Sequence, residues 1–132
     1  HGIKVIGCFV LGLDGDTPSV FREVLDATRE LELAHVQVTF LTPFPGTPLY
    51  DRLQGEGRMT HPRAWERCTL FDLSFTPLGM TADELQAGLS WLMEALYSDE
   101  ETAARRARYE MQLGRSAFRR AEAPILTGGF ND

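Results

Sequence analysis

The chain has 132 residues, 43% of them hydrophobic, and a formal net charge of −6 at pH 7. This fits one globular domain, or a piece of one, and argues against nucleic-acid binding, which requires a basic face. There is no signal peptide and no apolar run near 18 residues, so we expect a cytoplasmic protein without membrane contact.

A strand, a helix and a second strand are predicted first. The segment from Ile3 to Leu11 is almost continuously apolar and β-branched, as in a buried parallel strand. Asp16 or Thr17 is expected to cap a helix with apolar residues at helical spacing. Residues 35–41 alternate as a second strand. The fold class is therefore α/β, with a βαβ unit whose two strands are parallel.

A proline-rich turn follows the second predicted strand. Its sequence, LTPFPGTPLY, begins at Leu41, and Pro43 and Pro45 restrict its backbone. A short helix is expected from Pro48 to Leu53, with Thr47 before it. We interpret the turn as stiff, which suits either a purely structural role or the wall of a site.

Two longer helices are predicted in the carboxyl-terminal half. Thr81 with Glu84, and Ser98 with Glu101, have the spacing of capping boxes. The second helix is rich in Arg and Ala, and we expect it to end near Leu113. Residues 115–132 are expected to form a flexible tail.

Chemistry is expected at the two loops that follow the strands, because ligands gather at the carboxyl ends of parallel strands. For the first loop, residues 12–17, the alternatives are an anion site, a metal site using Asp14 and Asp16, or a turn that caps a helix. The second loop, residues 41–47, is structural or part of a site. Both loops are expected at the same edge of the sheet, which we call the rim, and their unusual composition favours a ligand-binding site there.

Cysteine and histidine residues predict no metal centre. Cys8 and Cys68 are far apart in the sequence, and the three histidines have no ligand spacing. Cys8, in the middle of a predicted strand, is expected to be a small core residue. We therefore predict no metal ligand and no catalytic residue in this chain.

The order and spacing of the two loops resemble the carboxyl half of a radical S-adenosylmethionine (radical SAM) enzyme. The resemblance rests on GCFVLGLDGDTPSVFREVLD and VQVTFLTPFPGTPLYDRLQGEGR, then on a Trp and on F-P--M before a capped helix. The most similar branch has members with an amino-terminal cobalamin-binding domain. The resemblance covers residues 2–97.

The resemblance implies a βαβ fragment of a partial (β/α)6 TIM-like barrel, followed by carboxyl-terminal helices. Residues 1–57 would supply the last two strands and helices, residues 58–114 a helical extension, and residues 115–132 the tail. Such enzymes use SAM and a [4Fe-4S] cluster to form a 5′-deoxyadenosyl radical, and cobalamin is an optional further cofactor of the parent. The cluster motif CxxxCxxC is absent here, so the chain alone is expected to be inactive.

The resemblance also implies which residues line the adenine pocket. The family's fifth-strand pattern GxIxGxxE matches at two positions, but Cys8 replaces its first glycine and Gly15 its acid. A stiff, apolar strand end suits an adenine, which needs apolar contact and a few backbone hydrogen bonds. The expected cofactor-binding residues are Val10, Gly12, Phe40, Leu41 and Thr42.

Other functions are also considered. The chain could be an autonomous α/β interaction module whose strand edges and Arg-rich helix bind a partner chain, or a small hydrolase using Asp14 and Asp16. As a barrel fragment it is expected to partner the remainder of the parent barrel, or to form a homodimer through exposed strand edges. No nucleic-acid partner is expected.

Overall fold

The computed structural model describes the backbone of residues 5–122 and the side chains of residues 5–114. The elements in chain order are β1 (Ile6–Leu11), α1 (Val20–Glu30), β2 (His35–Phe40), α2 (Pro48–Gly55), a 3-10 turn (Trp65–Arg67), α3 (Ala82–Tyr97) and α4 (Asp99–Glu122). The α/β class and the order strand, helix, strand are confirmed.

The two strands form a parallel pair, as the βαβ prediction requires. The register runs from Ile6 opposite His35 to Leu11 opposite Phe40. Beyond the last pair, the amide of Leu41 donates to the Leu11 carbonyl oxygen at 2.8 Å. The loops that follow β1 and β2 therefore leave the sheet side by side. Within residues 5–122 the sheet contains these two strands.

One face of the sheet is packed against α1 and α3. Alternate strand residues point to this covered face, because side chains in a strand alternate between its two sides. Leu11 and Phe40, 1% and 4% exposed, lie at its carboxyl end. The helices contribute side chains spaced three and four residues apart, which are Phe21, Val24, Leu25, Leu85, Leu89, Leu92 and Leu96.

The opposite side, which we call the open face, consists of Ile6, Cys8, Val10, His35, Gln37 and Thr39. Ile6 is 58% exposed and Val10 45%, whereas Thr39 is buried. The prediction that the first strand is buried was therefore wrong for half of its residues, and Cys8 is exposed instead of lying in the core. Both helices that pack on the strands lie on the other side, which leaves this face uncovered.

The start of α1 also differs from the prediction. Ser19 occupies the N-cap position and makes no side-chain capping bond. Neither Asp16 nor Thr17, the two expected caps, occupies this position, and Asp16 instead accepts hydrogen bonds from the backbone of the preceding turn. A turn closed by the Val20 amide and the Thr17 carbonyl intervenes. The acid is therefore used to shape the loop before the helix.

The segment between α2 and α3 folds back on itself. Thr76 donates its amide to the Arg58 carbonyl at 2.8 Å, and Thr60 donates to the Ser74 carbonyl at 3.0 Å. Met59 lies opposite Phe75 in this short antiparallel ladder. The ladder brings the chain after α2 next to the chain before α3.

The two carboxyl-terminal helices begin where the capping pattern predicted. Thr81 and Glu84 form both bonds of a capping box. Before α4, Ser98 accepts the Glu101 amide at 3.2 Å, but the Glu101 carboxylate binds Arg29 and Arg108 instead of completing the box. The α4 backbone is helical to residue 122, beyond the predicted end near residue 113. The rest of the expected tail, residues 123–132, lies outside the described residues.

Candidate functional site

The two predicted loops do share one rim, at the carboxyl ends of β1 and β2. The parallel pairing places their starting points side by side. An ion-paired cluster then joins them, because Asp14 of the first loop binds Arg52 of α2, the helix that follows the second loop. The rim is therefore a connected structure and not a pair of independent turns.

The first loop is shaped by Gly12 and Asp16. Gly12 has φ +95°, a conformation that favours glycine, and it is buried beneath Leu85 and Phe75. Its amide donates to Asp16 Oδ2 at 2.8 Å, and the Leu13 amide donates to the same oxygen at 3.0 Å. The carboxylate thereby holds the turn at the end of β1.

Asp14 faces the other way, toward two arginines. Arg52 Nη1 donates to its Oδ2, and Arg58 Nη1 donates to its Oδ1 at 2.9 Å. The hydrogen bond from Arg52, followed by that from Arg58, holds the pKa of Asp14 below its ordinary value of 3.8. Asp14 is therefore an anchored carboxylate.

These contacts give little support to a hydrolase that uses Asp14 and Asp16. The oxygens of Asp14 are bound by arginines, and Asp16 accepts two backbone amides. Among the described residues, no group of three His, Cys, Asp or Glu side chains is arranged to hold a metal ion. A divalent ion would have to displace charged partners that are already present.

Val10 is the most exposed of the five predicted pocket residues. It lies on the open face, two residues before Gly12, and its side chain is directed away from the helices. Its register partner, Thr39, is buried. Val10 thus offers an apolar surface directly beneath the first loop.

The other three predicted residues lie at the end of β2. The Phe40 side chain is in the core on the covered face, and its amide donates to the Leu70 carbonyl at 2.9 Å. The Thr42 hydroxyl lies 3.0 Å from the Thr69 carbonyl and 3.2 Å from that of Phe40. Leu41 is half-buried. Phe40 and Thr42 therefore fix the backbone here, and Leu41 retains an accessible side chain.

The proline turn leads directly into α2. Gly46 has φ +78°, and the Thr47 hydroxyl donates to the Phe44 carbonyl at 2.6 Å while accepting the Tyr50 amide at 3.3 Å. Pro48 occupies the first turn of the helix, where no amide donor is needed. The turn therefore sets the direction of α2, and with it the position of Arg52.

Arg58 is the residue at the rim that the sequence analysis missed. It is 8% exposed and binds Asp14, Glu56 and the Thr76 carbonyl. Its place after GEG, which ends α2, was visible in the sequence, but a single arginine after a helix has no distinguishing pattern. The distant partner Asp14 could not be inferred from spacing.

The described part of the chain, residues 5–122, contains no helix long and apolar enough to cross a membrane.

Comparison with protein-family models gives a match over residues 47–128 to a domain of unknown function, DUF4070. This segment includes α2, the antiparallel ladder, α3 and α4. The two strands and the first loop lie before the matched region.

Three individual relatives are also similar to this chain. The chain is 38% identical over 61 residues to the hopanoid C-2 methylase of Rhodopseudomonas palustris, covering 46% of this chain and 12% of the relative. It is 25% identical over 97 residues to the bacteriochlorophyllide d C-12(1)-methyltransferase of Chlorobaculum tepidum, covering 74% of this chain and 21% of the relative. It is 39% identical over 72 residues to the biotin synthase of Thermus thermophilus, covering 54% of this chain and 21% of the relative.

These matches confirm the predicted resemblance to radical SAM enzymes. The matched part of the chain corresponds to between 12% and 21% of the length of these three relatives.

Proposed function

The chain belongs to the DUF4070 family, and from this we propose that it is the carboxyl-terminal part of a radical SAM enzyme. In this proposal β1 and β2 are the last two strands of a partial barrel, and the open face lines the SAM pocket. The residues from α2 onward close the barrel beside them. Two of the relatives are named as a methylase and a methyltransferase, so we propose SAM-dependent methyl transfer or related oxidoreductase chemistry for the parent.

The observation that carries the proposal is the open face. Apolar side chains such as Ile6 and Val10 are exposed on one side of a parallel sheet while the other side is packed by α1 and α3. Exposed strand faces of this kind are unfavourable unless a ligand or further chain covers them. The rim where ligands gather in parallel α/β proteins lies at the end of the same face.

Within this pocket we assign different roles to the five predicted residues. Val10 and Leu41 would contact the adenine with their side chains. Gly12, Phe40 and Thr42 would act through the backbone, since their hydrogen bonds and conformations set the two strand ends. An adenine bound between such walls loses little binding free energy to ordering of the protein.

The residues of this chain suit SAM better than they suit the cluster. SAM needs an apolar surface at a strand end, and Val10 provides one; in such an enzyme, bound SAM supplies the 5′-deoxyadenosyl radical. A [4Fe-4S] cluster needs three or four thiolates. The chain has only Cys8 and Cys68, so it does not fit a cluster, which the preceding part of a parent enzyme would hold. Cobalamin, where used, would also bind outside this chain.

The proposed partner is the remainder of the parent barrel. In residues 5–122, β1 pairs with β2 on one edge and with no second strand on the other. A neighbouring strand from the parent would pair with this edge and continue the open face. The same edge would support a homodimer if the chain were produced alone.

The test is binding of SAM to the complete gene product, reconstituted anaerobically with iron and sulfide, measured by calorimetry. Val10→Asp places a charge on the open face and is expected to weaken SAM binding at least tenfold. Leu31→Asp is the control, because Leu31 is also an exposed apolar residue, 65% against 45% for Val10, but lies at the opposite end of the sheet.

Two results would contradict the proposal. One is equal SAM affinity for wild type and Val10→Asp. The other is a complete gene product without CxxxCxxC and without formation of 5′-deoxyadenosine under reducing conditions. The second result, with a stable monomer for the chain alone, would favour the autonomous interaction module.

A further inference from the structure

We propose that Arg58 is a positioning residue, which holds the first loop at the rim through Asp14 and couples that loop to the segment before α3. The coupling itself stands on contacts in this chain. Its consequence for SAM binding rests on the proposed function.

Arg58 is a buried cation with contacts to the antiparallel ladder. Its Nε donates to the Thr76 carbonyl at 2.8 Å, and its guanidinium lies 5.9 Å from the centre of the Phe75 ring. Phe75 is fully buried, and its Cζ would lie 3.1 Å from a Cβ added at Gly12. The arginine is thus fixed to the part of the chain that packs over the first loop at Gly12.

The same guanidinium reaches the first loop. Nη1 donates to Asp14 Oδ1 and to Glu56 Oε2, each at 2.9 Å, while Nη2 is buried without a partner among the described atoms. A buried arginine needs carboxylates nearby, because an uncompensated buried charge is strongly unfavourable. Asp14 therefore stays with Arg58 at neutral pH, and the loop stays with Asp14.

Arg52 attaches the first loop to a second segment of the chain. It reaches Asp14 from α2, whereas Arg58 reaches it from the ladder. Glu56 lies between the two arginines, 2.9 Å from Arg58 and 3.9 Å from Arg52. Without Asp14, the side-chain hydrogen bonds to other segments would be lost, and the first loop would keep local bonds such as those from the Gly12 and Leu13 amides to Asp16 and from the Asp16 amide to the Leu13 carbonyl.

The arrangement favours positioning over overall stabilisation. Asp14 is partly exposed and Arg52 is nearly half exposed, and ion pairs at such positions contribute little to global stability. The buried Arg58 keeps Glu56 as a carboxylate partner when Asp14 is removed. Both partners of Asp14 nevertheless come from other segments of the chain. Removing the pair should therefore release the loop while the helical core keeps its stability.

Hydrogen exchange followed by NMR on the whole chain tests this coupling. In Asp14→Asn, which keeps the shape of the side chain, we expect the Gly12, Leu13 and Thr76 amides to lose about tenfold protection. Amides in α3 should be unchanged. Arg106→Gln is the matched control, because it removes the exposed pair with Glu110 on α4 and should change none of these amides.

The inference is overturned if protection of Gly12 and Leu13 is unchanged in Asp14→Asn, or if amides in α3 lose protection by the same factor. If Asp14→Asn does not fold, Arg52→Gln replaces it, since Arg52 is exposed. That variant should lower protection of the same loop amides about threefold, and no change there would equally overturn the inference.

Titration with SAM then separates this inference from the proposed function. If the wild-type complete gene product binds SAM, its Asp14→Asn variant should bind SAM at least fivefold more weakly with an unchanged unfolding midpoint, and Arg58→Lys should recover part of the affinity lost in Arg58→Met. Equal affinity in wild type and Asp14→Asn would overturn the link to the pocket. Absence of SAM binding by the wild-type complete gene product would count against the proposed function, and the exchange result would still decide the coupling.

Discussion

The two faces of the β1–β2 sheet are built from the same strands but meet different surroundings. On the covered face, Leu11 and Phe40 are packed by α1 and α3. On the open face, Ile6 and Val10 are similarly apolar and exposed. Adjacent residues such as Val10 and Leu11 therefore differ in what they contribute. The covered residues stabilise this chain by burial, whereas the open ones make few packing contacts with the described residues.

This difference shows that apolar character in a strand does not by itself identify the core. A continuous apolar run is typical of a parallel strand with both faces covered. Within the described residues only one face is covered, although the apolar residues of β1 lie on both faces. The comparison can be tested by removing side chains from each face.

The largest effect is expected from the covered face. Phe40→Ala should lower the free energy of unfolding by about 4 kcal/mol, because it leaves a cavity among tightly packed side chains. Urea denaturation followed by circular dichroism measures this change. Val10→Ala is the counterpart on the open face and should change stability by less than about 0.5 kcal/mol. Similar losses from both variants would contradict the difference between the faces.

Gly12→Ala, directly after the end of β1, should have the next largest effect on the free energy of unfolding. The φ of +95° disfavours alanine, and a Cβ would lie 2.9 Å from Leu85 Cδ2 and 3.1 Å from Phe75 Cζ. We expect a loss of about 2 kcal/mol from backbone strain and crowding. Gly15→Ala is the control in the same loop, since a Cβ there has no neighbour within 4 Å. An unchanged free energy of unfolding in Gly12→Ala would show that the backbone of the first loop and its neighbours Leu85 and Phe75 can shift to accept the added Cβ.

Glu101→Gln tests the ion-paired cluster on the covered side, and its effect should be smaller. Glu101 is buried and binds Arg29 at 3.0 Å and Arg108 at 2.9 Å. Because Arg29 can return to solvent, we expect a loss of about 1 kcal/mol in thermal or urea unfolding. Arg106→Gln again serves as the control. A loss no larger than that of the control would mean that the cluster only orients α4.

Acid should weaken the two ion-paired clusters in turn. Burial raises the pKa of Glu101, but bonds from Arg108 and Arg29 outweigh this and hold it below 4.5. The pKa of Asp14 lies below 3.8. A carboxylate with a lowered pKa stabilises the fold fully above its unfolded pKa, and this contribution is lost as pH falls through the folded value. The contribution of the partly exposed Asp14 is small, so the change in stability reports mainly on Glu101. Stability should therefore decrease below about pH 4.5, less steeply in Glu101→Gln, and a curve unchanged by that substitution would contradict the assignment.

Features with local causes were predictable from the sequence. The strand–helix–strand order follows from apolar periodicity, and the capping box at Thr81 and Glu84 needs only residues three positions apart. The parallel pairing followed from the crossover helix between the strands. The shared rim was then a geometric consequence of that pairing.

Features with distant causes were not predictable. Arg58 binds Asp14 across 44 positions and Thr76 across 18, and no periodic pattern reports such contacts. Asp16 was expected to cap α1 but closes the preceding turn, since both uses require the same acid at nearly the same place. The exposure of Val10 depends on which helices cover the sheet, and strand composition does not determine that.

The handedness of the β1–α1–β2 unit has a consequence for any longer sheet. Crossovers between parallel strands are right-handed in nearly all proteins, so each strand–helix unit added in the same direction along the sheet would place its helix on the side occupied by α1. Strands added in that direction would therefore leave Ile6 and Val10 without a helix over them. The accumulating twist would instead curve the sheet around them, so that the open face of this chain becomes part of the concave lining of an enclosed chamber.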